Sequence, residues 1–131
     1  MSEENIEAIR QGFAAFNARA VEDMVAISDP DAEWIPFRAQ LEGIVYRGHA
    51  GLRQFVRDME EDWENFQLDP VEFHDREDKV AVVAHMTALG RGSGVEIDSQ
   101  AGFVFEMRAG LIARLVSYSD PAAARASLGE P

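Results

Sequence analysis

The chain contains no cysteine, which excludes disulfides, thiolate catalysis and cysteine-built metal sites. Basic residues are scarce: 12 lysines and arginines stand against 24 aspartates and glutamates, a formal net charge of -12. A surface of that sign is not attracted to nucleic acid or to anionic membranes, and its plain use is solubility. Histidines number 3, scattered without paired spacing, so they build no metal site. No apolar run approaches the ~20 residues that a membrane helix needs. The opening MSEENIEAIR is acidic and amphipathic where a signal peptide is basic and then apolar. Gly90-Arg91-Gly92-Ser93-Gly94 lacks the lysine and following helix of a phosphate loop. These absences lead to the expectation of a cytoplasmic protein with no nucleic-acid partner, no membrane partner, no metal and no cofactor.

What is present is periodic. Ile6, Ile9, Phe13 and Phe16 recur at helical spacing behind Ser2, Glu3 and Glu4, residues suited to a helix N-terminus. A second short helix covers about Ala20 to Ile27, with Val21, Met24 and Val25 inward, and Ser28-Asp29-Pro30-Asp31 breaks it. Ala32 to Phe37 reads as a strand. Arg38 to Gly48 reads as a loop with a short strand near Ile44 to Tyr46, and loops of this length often line sites. Gly48-His49-Ala50-Gly51 opens a third helix, apolar at Leu52, Phe55, Val56, Met59 and Trp63. Its other face carries Arg53, Arg57, Asp58, Glu60, Glu61, Asp62 and Glu64.

The second half changes to period two. Gln67 to Arg76, Lys79 to Gly90 and Val95 to Arg108 are strand segments separated by hairpin signals at Glu77-Asp78 and Arg91 to Gly94. Phe103, Phe105 and Met107 share one face of the last of these. Ala109-Gly110 turns the chain and Leu111 to Ser119 returns. Asp120 then caps a short Ala/Arg helix, with Pro121 at its first position and Gly129 past its end. A single domain over residues 1–131 is long enough to bury roughly two-thirds of its unfolded surface. The class is α+β, with helices on one face of a mostly antiparallel sheet.

Parity sorts the long central strand. Val80, Val82, Ala84, Met86 and Ala88 share one face, and Ala81, Val83, His85, Thr87 and Leu89 share the other. We place His85 outward; facing a pocket, it would be the best general base in the chain, with an ordinary pKa of about 6.5. Ile112, Val116 and Tyr118 are assigned to the same outer face, with Asp98 and Gln100 also outward. A partly apolar sheet face of this kind suits a homodimer.

The order of elements, the Tyr46-Arg47-Gly48 start of helix three, the Ala109-Gly110-Leu111-Ile112 turn and the Tyr118-Ser119-Asp120 exit resemble the nuclear-transport-factor-2-like superfamily, in its SnoaL-like and ketosteroid-isomerase-like branch. The resemblance covers essentially the whole chain. It implies a cone-shaped fold in which N-terminal helices and a curved, mostly antiparallel sheet enclose an apolar pocket, and dimerisation through the outer sheet face. Ketosteroid isomerases look similar, and their catalytic tyrosine falls here at Phe13 or Phe16, their base near Glu33 to Pro36, and their oxyanion aspartate near Phe103. Limonene epoxide hydrolase is similar in outline too, and its Arg and Asp fall at about Met86 and Ala88, its other Asp at Ser117. Function lives in such sites and not in the fold.

On this placement Trp34, Phe55, Met59, Trp63, Met86, Phe103, Phe105, Leu115 and Ser117 line the pocket, where soft and aromatic side chains suit a small apolar molecule. Glu33, Tyr46 and His85 are the candidate acid–base groups. His49 reads as a cap or a solvent-facing residue, His74 as solvated among Glu72, Asp75 and Glu77, and Asp120 as a helix cap. The expected function is a small-molecule pocket binding an apolar or aromatic ligand, with isomerase, cyclase or hydrolase-type acid–base chemistry. The alternative is a non-catalytic ligand-binding or dimeric interaction module.

Overall fold

A computed structural model describes residues 2–36 and 42–128. Helices α1 (Ser2–Asn17) and α2 (Val21–Ala26) lead into strand β1 (Ser28–Ile35), and the two-residue strand β2 (Tyr46–Arg47) runs directly into α3 (Gly48–Asp62). Strands β3 (Trp63–Arg76), β4 (Lys79–Gly90), β5 (Glu96–Arg108) and β6 (Leu111–Tyr118) form a meander, followed by α4 (Pro121–Ala126). The strands make one curved six-stranded sheet in the order β2-β1-β6-β5-β4-β3. All neighbours are antiparallel except β1 and β6, which run parallel. The chain therefore adopts the expected α+β architecture, N-terminal helices packed on a curved, mostly antiparallel sheet.

Local chemistry explains the joints. The β5–β6 hairpin turns on Ala109 and Gly110, both with positive φ, as a tight two-residue turn matched to strand twist requires. Asp120 accepts a hydrogen bond from the Ala122 amide at 2.9 Å and Pro121 occupies the first turn of α4, the capping arrangement read from the sequence. Asn17, the last residue of α1, ties that helix to β3 twice: its Nδ2 donates to the Leu68 carbonyl at 2.8 Å and its Oδ1 accepts from the Leu68 amide at 2.9 Å.

The main core lies between α1 and the inner sheet face, where Ile9, Phe13 and Phe16 meet Val80, Val82, Phe103, Phe105 and Met107. A second, small cluster of Ala81, Val104, Ala124 and Leu128 has the opposite strand parity. Helix α4 thus packs on the outer face, which corrects the expectation of helices on one face alone. It lies so close that a Cβ built on Gly102 would stand 2.6 Å from the Ala124 methyl.

Three other expectations change. Ser28-Asp29-Pro30-Asp31 does not end the helix as a free break but begins β1. The ladder to β6 is irregular between Ser28 and Glu33, and Pro30, without an N–H, is tolerated in that stretch. Ile112 is 2 % exposed in the main core, not on the outer face. The cause is a bulge: Met107 pairs with Ile112 but the adjacent Glu106 pairs with Arg114, so Ala113 is an extra residue that reverses parity. The short strand sits at Tyr46–Arg47. Phe37, most of the loop's start and the Gly129 stop lie outside the described residues.

Candidate functional site

Between α1, α3 and the inner face of the sheet lies a cavity of about 600 Å³. Aromatic rings from seven elements line it, and four pairs of them meet edge-on. Phe13 meets Phe103 at 5.8 Å and Phe105 at 5.7 Å between centroids, and Phe66 meets Phe16 at 5.8 Å and Trp63 at 5.9 Å. Such pairs contribute ~0.5–1.5 kcal/mol each beyond their buried area, so the wall is set before any ligand arrives. Trp34, Phe55, Met59, Trp63, Met86, Phe103, Phe105, Leu115 and Ser117 all lie on this one wall. Behind it the Arg19 guanidinium stacks 4.7 Å from the Phe16 ring centre and donates to the Phe66 carbonyl at 2.6 Å. Partial burial lowers its pKa from the ordinary arginine value.

A polar pair also lines the cavity. Tyr46 is fixed by its pairing with Trp34 across β1 and β2 and by the close approach of α3. A Cβ on Gly51 would lie 2.8 Å from the Tyr46 carbonyl carbon, so only glycine lets the first turn of α3 press against Tyr46. The chain then doubles back along α3, and the Tyr46 hydroxyl donates to Asp58 Oδ2 at 2.6 Å. Gln54 Nε2 donates to the other carboxylate oxygen at 2.6 Å. Tyr46 and Asp58 both line the cavity, as do Glu42, Glu61 and Asp62. A phenol hydrogen-bonded to a carboxylate can take up a proton from a neighbour while passing its own on, the elements of general acid–base work.

Asp58, which the sequence places on the face of helix three opposite its apolar stripe, lines the cavity instead. The signal was available: Phe55, Asp58, Met59 and Asp62 recur at i, i+3, i+4 and i+7, one helical stripe. Asp58 lies between the apolar members Phe55 and Met59 of that stripe.

Glu33 and His85 do not reach the cavity. Glu33 adjoins Trp34, and neighbouring residues on a strand point to opposite faces, so with Trp34 inward Glu33 is outward. There it pairs with Arg47 and Arg114, and Arg114 also bonds Glu106 at 3.0 Å, a charge ladder across β2, β1, β6 and β5. The ladder borders an outer groove of about 860 Å³ in which Arg114 pairs with Glu33 and Glu106. His85 faces outward between Asp69 and Gln100 in the β-ladders, with Nε2 at 2.6 Å from Asp98 Oδ1. His49 Nε2 lies 3.0 Å from the Ser28 carbonyl, tying α3 to β1, and His74 pairs with Glu72 at 3.0 Å.

Deep in the cavity wall is an unsatisfied donor. Trp34 is 3 % exposed, and its indole Nε1 is the one buried side-chain polar atom without a hydrogen-bond partner among the described residues.

Residues 9–115 match the family model described as the SnoaL-like domain. No curated protein matches the chain. Among solved structures, an NTF2-like protein of unknown function from Burkholderia pseudomallei K96243 is 18 % identical over 97 % of this chain and 98 % of its own, with a TM-score of 0.80. TerC co-crystallized with polyporic acid is 25 % identical over 97 % of this chain and 99 % of its own, TM-score 0.78. A putative SnoaL-like polyketide cyclase from Jannaschia sp. CCS1 is 16 % identical over 98 % and 94 %, TM-score 0.78.

Proposed function

The chain belongs to the SnoaL-like domain family, and from that premise we propose that its cavity binds a planar, largely apolar aromatic molecule on which Tyr46 and Asp58 carry out proton transfer. The observation that carries this reading is the Tyr46–Asp58 hydrogen bond in the lining of an aromatic cavity. About 600 Å³ lies within the range of small-molecule sites, which are mostly apolar with a few placed polar groups. TerC, which is similar in structure, was co-crystallized with polyporic acid, and this supports an aromatic ligand for this chain. In the reading, Tyr46 accepts a proton from the ligand as its own passes to Asp58, and the reverse movement returns it.

A specific observation favours binding without catalysis as the second reading. On the placement that the resemblance implies, Phe13 or Phe16, Met86, Phe103 and Ser117 on the wall, with Ala88, fall where similar isomerases and epoxide hydrolases hold catalytic polar or charged groups. One experiment separates the two. Trp34 and Trp63 face the cavity, so 2-hydroxy-1,4-naphthoquinone is titrated against tryptophan fluorescence, and the visible spectrum of the bound probe is followed with pH. Saturable quenching is expected, with the ionisation of the bound probe displaced from that of the free one. Tyr46→Phe and Asp58→Asn should bring it back while binding persists. Quenching with an ionisation curve indifferent to both substitutions leaves a binding module; no quenching removes the pocket reading.

A further inference from the structure

We propose that Gln54 is a positioning residue for the Tyr46–Asp58 pair: its amide occupies one oxygen of Asp58 and so confines the moving proton to the other, the one that faces Tyr46. The inference deepens the proposed function and rests on its premise that Tyr46 and Asp58 exchange a proton with a bound ligand.

Three side chains of α3 and one of β2 form a single run of hydrogen bonds. Arg57 donates from a terminal nitrogen to Gln54 Oε1 at 2.7 Å, Gln54 Nε2 donates to Asp58 Oδ1 at 2.6 Å, and the Tyr46 hydroxyl donates to Asp58 Oδ2 at 2.6 Å. The two ends of a glutamine amide have nearly the same shape, so their partners decide which way it points. A guanidinium only donates, so Arg57 takes Oε1 and turns the NH2 group toward Asp58. Gln54, Arg57 and Asp58 stand at i, i+3 and i+4 on the helix, where side chains meet. Neither Gln54 nor Arg57 is among the residues lining the cavity, and both are exposed while Asp58 is half-buried. Gln54 therefore acts on a ligand through Asp58.

An ionised carboxylate accepts on both oxygens, but once protonated it must donate from one of them. A proton on Oδ1 would face the Gln54 N–H, which has nothing to accept it with. A proton on Oδ2 faces the phenol oxygen, which accepts. In the transfer, the ligand's bond to its proton breaks as an O–H bond forms at Tyr46, and the former Tyr46 hydroxyl proton passes to Asp58 Oδ2, leaving the ligand as its anion. The same oxygen returns it. A carboxylate without the Gln54 bond is free to turn and to divide the proton between two oxygens, only one of which leads back to Tyr46.

The test uses 2-hydroxy-1,4-naphthoquinone on the wild-type chain, Gln54→Met, Asp58→Asn and the double variant. Methionine keeps the length and helix propensity of glutamine and lacks the amide. Affinity, read by tryptophan quenching, should stay within about twofold of the wild type in Gln54→Met, because residue 54 is outside the lining. The ionisation midpoint of the bound probe should move from the wild-type value toward that of Asp58→Asn by about half a pH unit, the low end of the effect of one hydrogen bond. On the Asp58→Asn background Gln54→Met should move it no further, as expected of residues that act as one unit. Glu42, Glu61 and Asp62 also line the cavity and are the same in all four chains, so their charge cancels in the comparison. Without any ligand, one side-chain amide proton of Gln54 should resonate downfield of an ordinary glutamine and return to the ordinary position in Asp58→Ala. A bound-probe midpoint that Gln54→Met leaves unmoved, or shifts equally with and without Asp58, overturns the positioning role and leaves the pocket standing. An amide resonance indifferent to Asp58→Ala overturns it as well. Failure of the probe to bind the wild type overturns the proposed function, and the role of Gln54 with it.

Discussion

Gly102→Ala should loosen the C-terminal helix. The methyl it adds would stand 2.6 Å from Ala124 Cβ and 3.0 Å from Pro121 Cα, roughly 0.8 Å inside the separation at which carbon contacts become favourable. β5 is central in the sheet, between β4 and β6, so the helix must yield. Overpacking of this kind costs about 1–3 kcal/mol. The upper bound comes from undocking α4 altogether, which uncovers Ala124, fully buried, and Leu128, 7 % exposed; a leucine alone accounts for ~1.5–3 kcal/mol. For a domain of this size each kcal/mol lowers the melting temperature by roughly 3–6 °C, easily read by circular dichroism. Ala124→Gly alone should cost ~1 kcal/mol through lost helix propensity. Combined with Gly102→Ala it removes the clashing methyl, so the double variant should be more stable than the sum of the single effects by at least ~0.5 kcal/mol. A Gly102→Ala chain that melts with the wild type, or a double variant whose losses simply add, refutes the close packing of α4 on β5.

Arg53 donates from Nε and a terminal nitrogen to the two Glu22 oxygens at 2.8 and 2.9 Å, joining α3 to α2. These bonds, with the guanidinium charge, hold the Glu22 carboxyl below its ordinary value of 4.5. A depressed folded pKa means the link is in force above that ordinary value and is lost as pH falls through the lowered one. Arg53→Ala should return the Glu22 titration, followed by carboxyl carbon NMR, toward 4.5; an unmoved midpoint removes the link. The expected homodimer would form on the outer sheet face left clear of α4, where His85, Thr87 and Leu89 are half-buried in the single chain. Light scattering at micromolar concentration should give the mass of two chains, and a monomer refutes it.

Much of this was legible because the fold speaks in periods. Ile9, Phe13 and Phe16 fall on one helical stripe, Phe103, Phe105 and Met107 on one strand face, and the Ala109–Gly110 turn and Asp120 cap announce themselves by residue type. What failed did so where one residue breaks a period. The extra Ala113 turned Ile112 inward against simple alternation, and no local signal marks such a bulge. Gly102 carried a hint, since glycine inside a strand often marks a close backbone approach, yet the partner that comes close lies in a helix that local pattern could not place. The site divides the same way. Apolar and aromatic wall positions follow from parity, whereas the pairing of Tyr46 with Asp58 depends on how α3 folds back over β2, a tertiary fact. Glu33 and Trp34, adjacent on β1, cannot both face the interior, because neighbouring strand residues point to opposite faces.

The parallel pairing of β1 with β6 orders the assembly of the molecule in time. Strands β3 to β6 close as successive hairpins between sequence neighbours, while Ser28 must find Ile112 across most of the chain. Closing the longer loop carries the greater entropic cost and comes late. Trp34 and Tyr46 belong to the late-arriving edge, Phe103 and Leu115 to the early meander. The chamber thus comes into being with the last docking event, and a molecule that fills it recognises only the finished chain and draws the final step toward completion.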